Sequence, residues 1–307
     1  MPMRLLLLAA LAVLPCLAAD DAFNGRWNIK VINEPRNRAW WLEVTGAGAG
    51  GAMKGRFVGA PGGDMNDIAD LSVRNGELNF TFDRGKEHQV YKARLEGGEL
   101  RGSFDNGKTK RLWVGRRAPK LAEKDDGSWR EGKPIELFNG KNLDGWSALV
   151  PGKELGWLVS GGILKNEAAA NNLISNEKFW NFALHAEYRI PAGSNSGIGL
   201  RARYEVQILE DFGKPPNSHG NGALYSRIVP SVNASRPPGE WQTMDIRLVG
   251  RQVTVVLNGK KIIDKGEVEG LTAIASDPDE GAPGPIILQG DHKEVEFRAL
   301  VITPLIK

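Results

Sequence analysis

The chain has 307 residues, with 40 lysines and arginines against 37 aspartates and glutamates, 38 glycines, nine tryptophans and one cysteine. A quarter of the residues are charged and 41% are hydrophobic, enough apolar material for a core, which excludes wholesale disorder. A net charge of +3 is too small for the phosphate neutralisation that nucleic-acid affinity rests on, so nucleic acid is not an expected partner. The first nineteen residues combine Arg4, an apolar run from Leu5 to Val13 and the small pair Ala18-Ala19, the pattern of a cleaved secretory signal. That run is shorter than the ~20 apolar residues a membrane-crossing helix needs, and Pro15 interrupts it, so no membrane span is expected. With Cys16 inside the signal, the exported chain has no disulfide. A secreted or periplasmic location is expected, with stability supplied by sheet cores.

Beyond residue 22, short runs of alternating polarity follow one another through glycine-bearing turns, and no long 3.6-residue apolar period occurs. Strands are expected at Trp27 to Ile32, Trp40 to Val44, Met53 to Val58 and Asp70 to Val73. Turns at Asn75-Gly76 and Gly97-Gly98 then lead through Leu78 to Phe82, Val90 to Leu95 and Leu100 to Phe104, with a last strand at Arg111 to Val114. Residues 22–117 therefore read as a small antiparallel β-barrel or sandwich. The opening Phe23 to Trp27 is faintly similar to the Gly-x-Trp start of lipocalins. Trp40-Trp41 sends one indole to each face of its strand, leaving one to bind glycan or to cement two domains. Residues 118–134 lose alternation and gain charge and proline, as a linker does. From 135 to 307 about a dozen short strands, with Asn258-Gly259 as another hairpin turn, indicate a two-sheet sandwich. The fold class is all-β throughout.

The densest polar patterning lies between Asn195 and Asp211. Alternation sends Ile198, Leu200, Tyr204, Val206 and Ile208 to one face and Gly199, Arg201, Arg203, Glu205 and Gln207 to the other. A turn near Ala202 to Tyr204 would make Arg201 and Glu205 cross-strand neighbours. Such a row is the wet side of many sandwiches, but the side-chain-free Gly197 and Gly199 leave room for a ligand to approach the sheet. No His-x-x-x-His pair, cysteine set or EF-hand loop is present. Asp277-Pro278-Asp279-Glu280 reads first as an acidic surface turn, which leaves a divalent metal open without requiring one. His219, in a Pro- and Asn-rich loop, reads as a solvated turn residue.

Read in order, Leu137-Phe138-Asn139-Gly140-Lys141, Gly145-Trp146, Asn195-Ser196-Gly197, Glu205-Val206-Gln207, Gly222 to Tyr225, Gly239-Glu240-Trp241, Leu257-Asn258-Gly259, Pro283 to Ile286, Leu288 to His292 and Val295 to Arg298 resemble the 3-keto-disaccharide hydrolase domain family, formerly a domain of unknown function. The likeness covers residues 135–307. Lys293 and Ala299 depart from it, standing where glycine and asparagine are usual. The resemblance implies a concanavalin A-like jelly-roll sandwich that acts on 3-keto-glycosides at its concave face. A ketone at C3 acidifies the C2 hydrogen, so the chemistry needs a base for C2, a stabiliser for the enolate oxygen, and an acid or water-directing group at C1. Under that implication Glu205 or His292 is the base, with Arg201 as the enolate clamp that also holds Glu205 ionised. Asn195, Gln207 and Gln289 orient sugar hydroxyls, Tyr225 donates to an oxygen, Asp211 and Asp291 are acids of lower rank, and Trp180 offers a stacking face. The expected function is cleavage or hydration of 3-keto-glycosides, with residues 22–117 as an accessory that docks to glycan or envelope. The alternative is a non-catalytic, lectin-like module of the cell envelope.

Overall fold

The computed structural model describes residues 20–59 and 63–307. The signal segment expected over 1–19 lies outside the described residues. Everything from Gly25 onward that is regular is β, and all the pairing is antiparallel. The first nine strands form one sheet in which Gly25–Val31 sits between Ala39–Thr45 and Lys110–Arg117, and the rest follow in chain order on either side. Its two edge strands, Asn66–Asp67 and Leu71–Arg74, are consecutive in the chain. The sheet therefore curls into an up-and-down barrel with one seam. At the seam Gly55 lies against Leu71 and Ile68, whose side chains would sit within 3 Å of any Cβ there.

Period-2 alternation fills the barrel. Trp27, Trp40, Phe57, Phe80, Tyr91, Phe104 and Trp113 all point inward and are buried. Trp40 meets Phe57, Tyr91 and Phe104 edge-on at centroid distances of 5.8 to 5.9 Å, the geometry that aromatic quadrupoles favour. Trp27 closes one end, donating its indole N–H to the Phe23 carbonyl while the Arg117 guanidinium lies 3.8 Å above its ring.

The remaining chain builds a jelly-roll sandwich. The larger sheet has nine strands: seven run in order from Trp157–Ser160 at one edge to Lys260–Glu267 at the other, with Glu296–Ile306 and Phe182–Arg189 at the centre, and Arg130–Glu131 and Ile135–Glu136 both pair with Glu296–Ile306. The smaller sheet runs Trp146–Ala148, Leu173–Ser175, Ile287–Leu288, Asn195–Leu200, Tyr204–Leu209. Leu184, Tyr188, Ile198, Val206, Ile208, Ile246, Phe297 and Ile302 form part of the core between them. Trp146 and Trp157 are buried and each donates to a backbone carbonyl at 2.6 Å, so both are packing residues. The stretch 118–134 is laid along the sandwich: Asp125 binds Arg247 at 2.9 Å and Pro119 accepts from Arg251.

Barrel and sandwich share a buried contact, because Trp41 points away from the barrel interior. Its ring packs with Val58 and Ala39 against Leu271 and Ala275, so its role is to cement the two bodies. Gly270 lies flat on the indole with φ +75°, and a Cβ there would collide with the ring. The Ala39 N–H reaches the Ala275 carbonyl at 2.8 Å, and Arg26 and Arg56 bridge Glu43 to Glu269. The fully buried Glu280 carboxylate accepts from Tyr204, Arg251 and Asn28, the last from the barrel.

Candidate functional site

The outer face of the smaller sheet is the floor of a cavity of about 540 Å³, and the barrel is its far wall. Ile198, Val206 and Ile208 drop into the sandwich core, so Gly197, Glu205 and Gln207 face out. Glu205 pairs across the strands with Gly199, and Gln207 with Gly197. A Cβ on Gly197 would lie 2.6 Å from the Glu205 Oε1 atom, so glycine there keeps the space that the carboxyl occupies. Gly197→Ala is expected to displace that carboxyl and to lower any rate that depends on it by roughly 100-fold, the cost of about 1 Å of misplacement. Gly197 has no positive φ, so the fold persists; an unchanged rate would show that the carboxyl does not need its present position.

Asn195, Gln207, Tyr225, Gln289, Asp291 and His292 line the same cavity as Glu205. The loop carrying the last two is pinned from below. Asn172 accepts from the N–H groups of Gly290 and Asp291 at 2.8 and 3.1 Å, and Asn166 donates to the Gly290 and Lys293 carbonyls. The His292 Nδ1 atom lies 3.0 Å from Asp291 Oδ1. The Gln207 side-chain nitrogen donates to Asn195 at 3.1 Å, while the amide oxygens of Gln207 and Gln289 are buried with no partner among the described residues. Leaving two such acceptors unpaired costs about 1 to 3 kcal/mol each, so a ligand rich in hydroxyl donors suits them.

Burial pushes the Glu205 carboxyl up to about 8, against a smaller downward pull from His292. His292 moves up because Asp291 hydrogen-bonds its ring and favours the cation. Burial alone would raise Asp291; the hydrogen bond and charge of His292 outweigh it and hold that carboxyl below its ordinary range. Burial, with Asp64 and Glu205 nearby, pushes the Tyr225 phenol up to about 12, so it stays a hydrogen-bond donor at every relevant pH. Near neutrality the site thus holds a carboxyl of high basicity beside an imidazole that favours its proton, two groups suited to moving a proton off and onto one ligand.

Three sequence-predicted residues stand elsewhere. Arg201 belongs to the turn between Asn195–Leu200 and Tyr204–Leu209, with φ +54°, and is fully buried. Its guanidinium lies 4.4 Å over the Trp180 ring and donates to the Gly250 carbonyl. The three-residue turn breaks the face parity that would have set Arg201 beside Glu205, and with it the expectation that Arg201 keeps Glu205 ionised. Trp180 is held under Arg201 and donates to Glu123 at 3.1 Å, so its faces are not offered to the cavity. Asp211 is a buried loop staple, accepting from Ser235 and Asn221 at 2.6 and 2.9 Å. Asp277 and Glu280 are committed to Arg203 and Arg251, and among the described residues no group of three His, Cys, Asp or Glu side chains could hold a metal ion.

Sequence reasoning missed the barrel's contribution. Arg36, Arg38 and Trp40 line the cavity, and Asp64 binds His219 at 2.7 Å, with the His219 ring edge-on to Tyr225. Arg36-x-Arg38 before a Trp-Trp strand was the visible signal, but nothing in the chain ties that loop to a site more than 150 residues away.

Residues 133–303 match the 3-keto-alpha-glucoside-1,2-lyase-like domain family. A curated relative, a 3-keto-disaccharide hydrolase of Bacteroides thetaiotaomicron, is 24% identical over 169 residues, 42% of this chain, and the chain spans only 57% of that relative's length. Two crystal structures of candidate glycosyl hydrolases from Parabacteroides distasonis are similar at 27% and 22% identity. They cover 60% and 56% of this chain and 91% and 94% of their own, each with a TM-score of 0.48.

Proposed function

Because the chain belongs to the 3-keto-alpha-glucoside-1,2-lyase-like domain family, we propose that it is an enzyme that cleaves 3-keto-glycosides by eliminating the aglycone across C1 and C2. The observation that carries this reading is Glu205: a buried carboxyl pushed up to about 8, beside a histidine that favours its cation, under a cavity with unfilled amide oxygens. A desolvated carboxylate is a strong enough base to take a proton from carbon next to a ketone.

In the proposed sequence Glu205 removes the C2 hydrogen as a proton, and its bonding electrons form the enolate, whose oxygen at C3 accepts a hydrogen bond from Tyr225. The electrons then return to form a C1–C2 double bond as the bond from C1 to the glycosidic oxygen breaks. That oxygen leaves with the electron pair and takes a proton from His292, which Asp291 orients. Water adds across the resulting enone where net hydrolysis is completed. The Gln207 and Gln289 amides hold sugar hydroxyls. Two carboxylates at glycosidase spacing are not needed, since the ketone supplies the activation. Export is part of the same proposal and rests on residues 1–19 alone.

The test is turnover of a panel of 3-keto-glucosides, with and without added divalent metal, following aglycone and enone. We expect release of both, with kcat/KM rising from about pH 6 toward pH 8 as Glu205 ionises. Wild-type inertness on the whole panel with sugar binding retained would support the lectin-like reading instead.

A further inference from the structure

The loop between Gly25–Val31 and Ala39–Thr45 brings two arginines to the cavity wall opposite the sandwich. Arg36 stands 3.8 Å from Asp291, too far for a hydrogen bond. Arg38 is half-buried, and among the described residues its guanidinium donates no hydrogen bond and joins no ion pair; only its backbone N–H is used, bonded to Glu34 at 2.9 Å. Lys153 also lines the cavity. Against these cations stand few anions. Asp291 is already bound to His292, and burial pushes the Glu205 carboxyl up to about 8, so near neutrality most of it is uncharged. Burial disfavours the Arg38 cation most, and Arg36 repels it, while Glu34 and Asp291 attract it. A neutral sugar offers no charge to a guanidinium that makes no hydrogen bond among the described residues, whereas a planar oxyanion matches its free fork.

We propose that the barrel supplies an anion-binding subsite, Arg38 supported by Arg36, and that the substrate is a 3-keto-glycoside bearing a negatively charged group on its aglycone or at C6 of the sugar. This rests on the keto-glycoside reading above, and makes the small domain part of substrate selection.

The experiment compares phenyl 3-keto-glucoside with its p-carboxyphenyl and p-sulfophenyl counterparts and with phenyl 3-keto-glucuronide, in wild type, Arg38→Gln and Arg38→Lys. At least one anionic substrate should be favoured over the neutral one by roughly tenfold or more in kcat/KM at low salt, and added salt should shrink that ratio. The aglycone series and the glucuronide locate the charge. Arg38→Gln should bring the ratio close to one, and Arg38→Lys should restore part of it. If Arg38→Gln does not fold, Arg36→Gln reads the same ratio. Anionic and neutral substrates handled within threefold by wild type, or a preference that survives Arg38→Gln, would overturn the subsite and leave the keto-glycoside reading standing. Calorimetric binding of the unoxidised phenyl and p-carboxyphenyl glucosides and phenyl glucuronide reads the subsite without turnover. An anionic preference there that Arg38→Gln removes supports it even if no keto-glycoside reacts, and equal affinities overturn it.

Discussion

Glu205→Gln should lower turnover of a 3-keto-glycoside by roughly 10²- to 10⁴-fold, the range that a positioned base contributes, while making the folded protein more stable. The two effects have one cause. The carboxyl sits at an ordinary 4.5 in the unfolded chain and about 8 in the fold, because burial penalises its charge. Between those values the unfolded state gives up its proton and the folded state keeps it, so the wild type loses stability as pH rises. The neutral amide carries no such penalty. Glu205→Gln should therefore match the wild type near pH 4 and lead it at pH 8 to 9, by a margin with a ceiling of about 5 kcal/mol. Denaturant unfolding at both pH values checks this. A wild type that leads at pH 9 would show that the charged carboxylate is well accommodated and that its high basicity is not built in.

Glu280→Ala should have the opposite pH dependence. Burial alone would raise this carboxyl, but the hydrogen bonds and charge of Arg251, with hydrogen bonds from Tyr204 and Asn28, outweigh it and hold it below its ordinary value. Its contribution is then present above the unfolded value near 4.5 and is lost as pH falls through the lower folded value. Removing one member of a buried ion pair costs about 3 to 5 kcal/mol, since the partner cation is left uncompensated. Near pH 7 the variant should unfold at much lower denaturant, and acid should narrow the gap. Because Asn28 comes from the barrel, the loss should extend to the contact between the two bodies, read as faster proteolysis of residues 118–134. An unchanged midpoint would mean that Glu280 contributes no net stability.

The strands were legible because period-2 alternation and glycine turns are local signals, and the jelly-roll followed from motif order. Asn195, Glu205, Gln207, Tyr225, Gln289, Asp291 and His292 were singled out from the motifs and line one cavity, with Asn195, Glu205 and Gln207 side by side on two paired strands. Arg201 was misplaced for a reason that sequence does not reveal. Face parity was carried through a turn of unknown length, and residues 201–203 form a bend with Arg201 and Ala202 at positive φ. Glu205's ionisation was misread in consequence, because a carboxyl's state depends on its partner and the partner had been set by that parity. Arg36 and Arg38 were beyond reach for another reason, whereas cementing two domains was one of the two roles expected of the outward indole, and Trp41 fills it. Alternation showed that Trp40 and Trp41 face opposite ways, but it could not choose between the two roles or bring the Arg36-Arg38 loop to the cavity, because the docking of one domain on another leaves no periodic trace.

In the proposed sequence the C2 hydrogen leaves as a proton before the aglycone departs. Turning over a 3-keto-glucoside that carries deuterium at C2, in ordinary water, and examining the sugar product by mass spectrometry reads this order of events. Aglycone release should be matched by loss of the label from C2 to solvent, and both should fall together in Glu205→Gln. Aglycone released at full rate with deuterium still on C2 would mean direct displacement at C1, and would contradict that order.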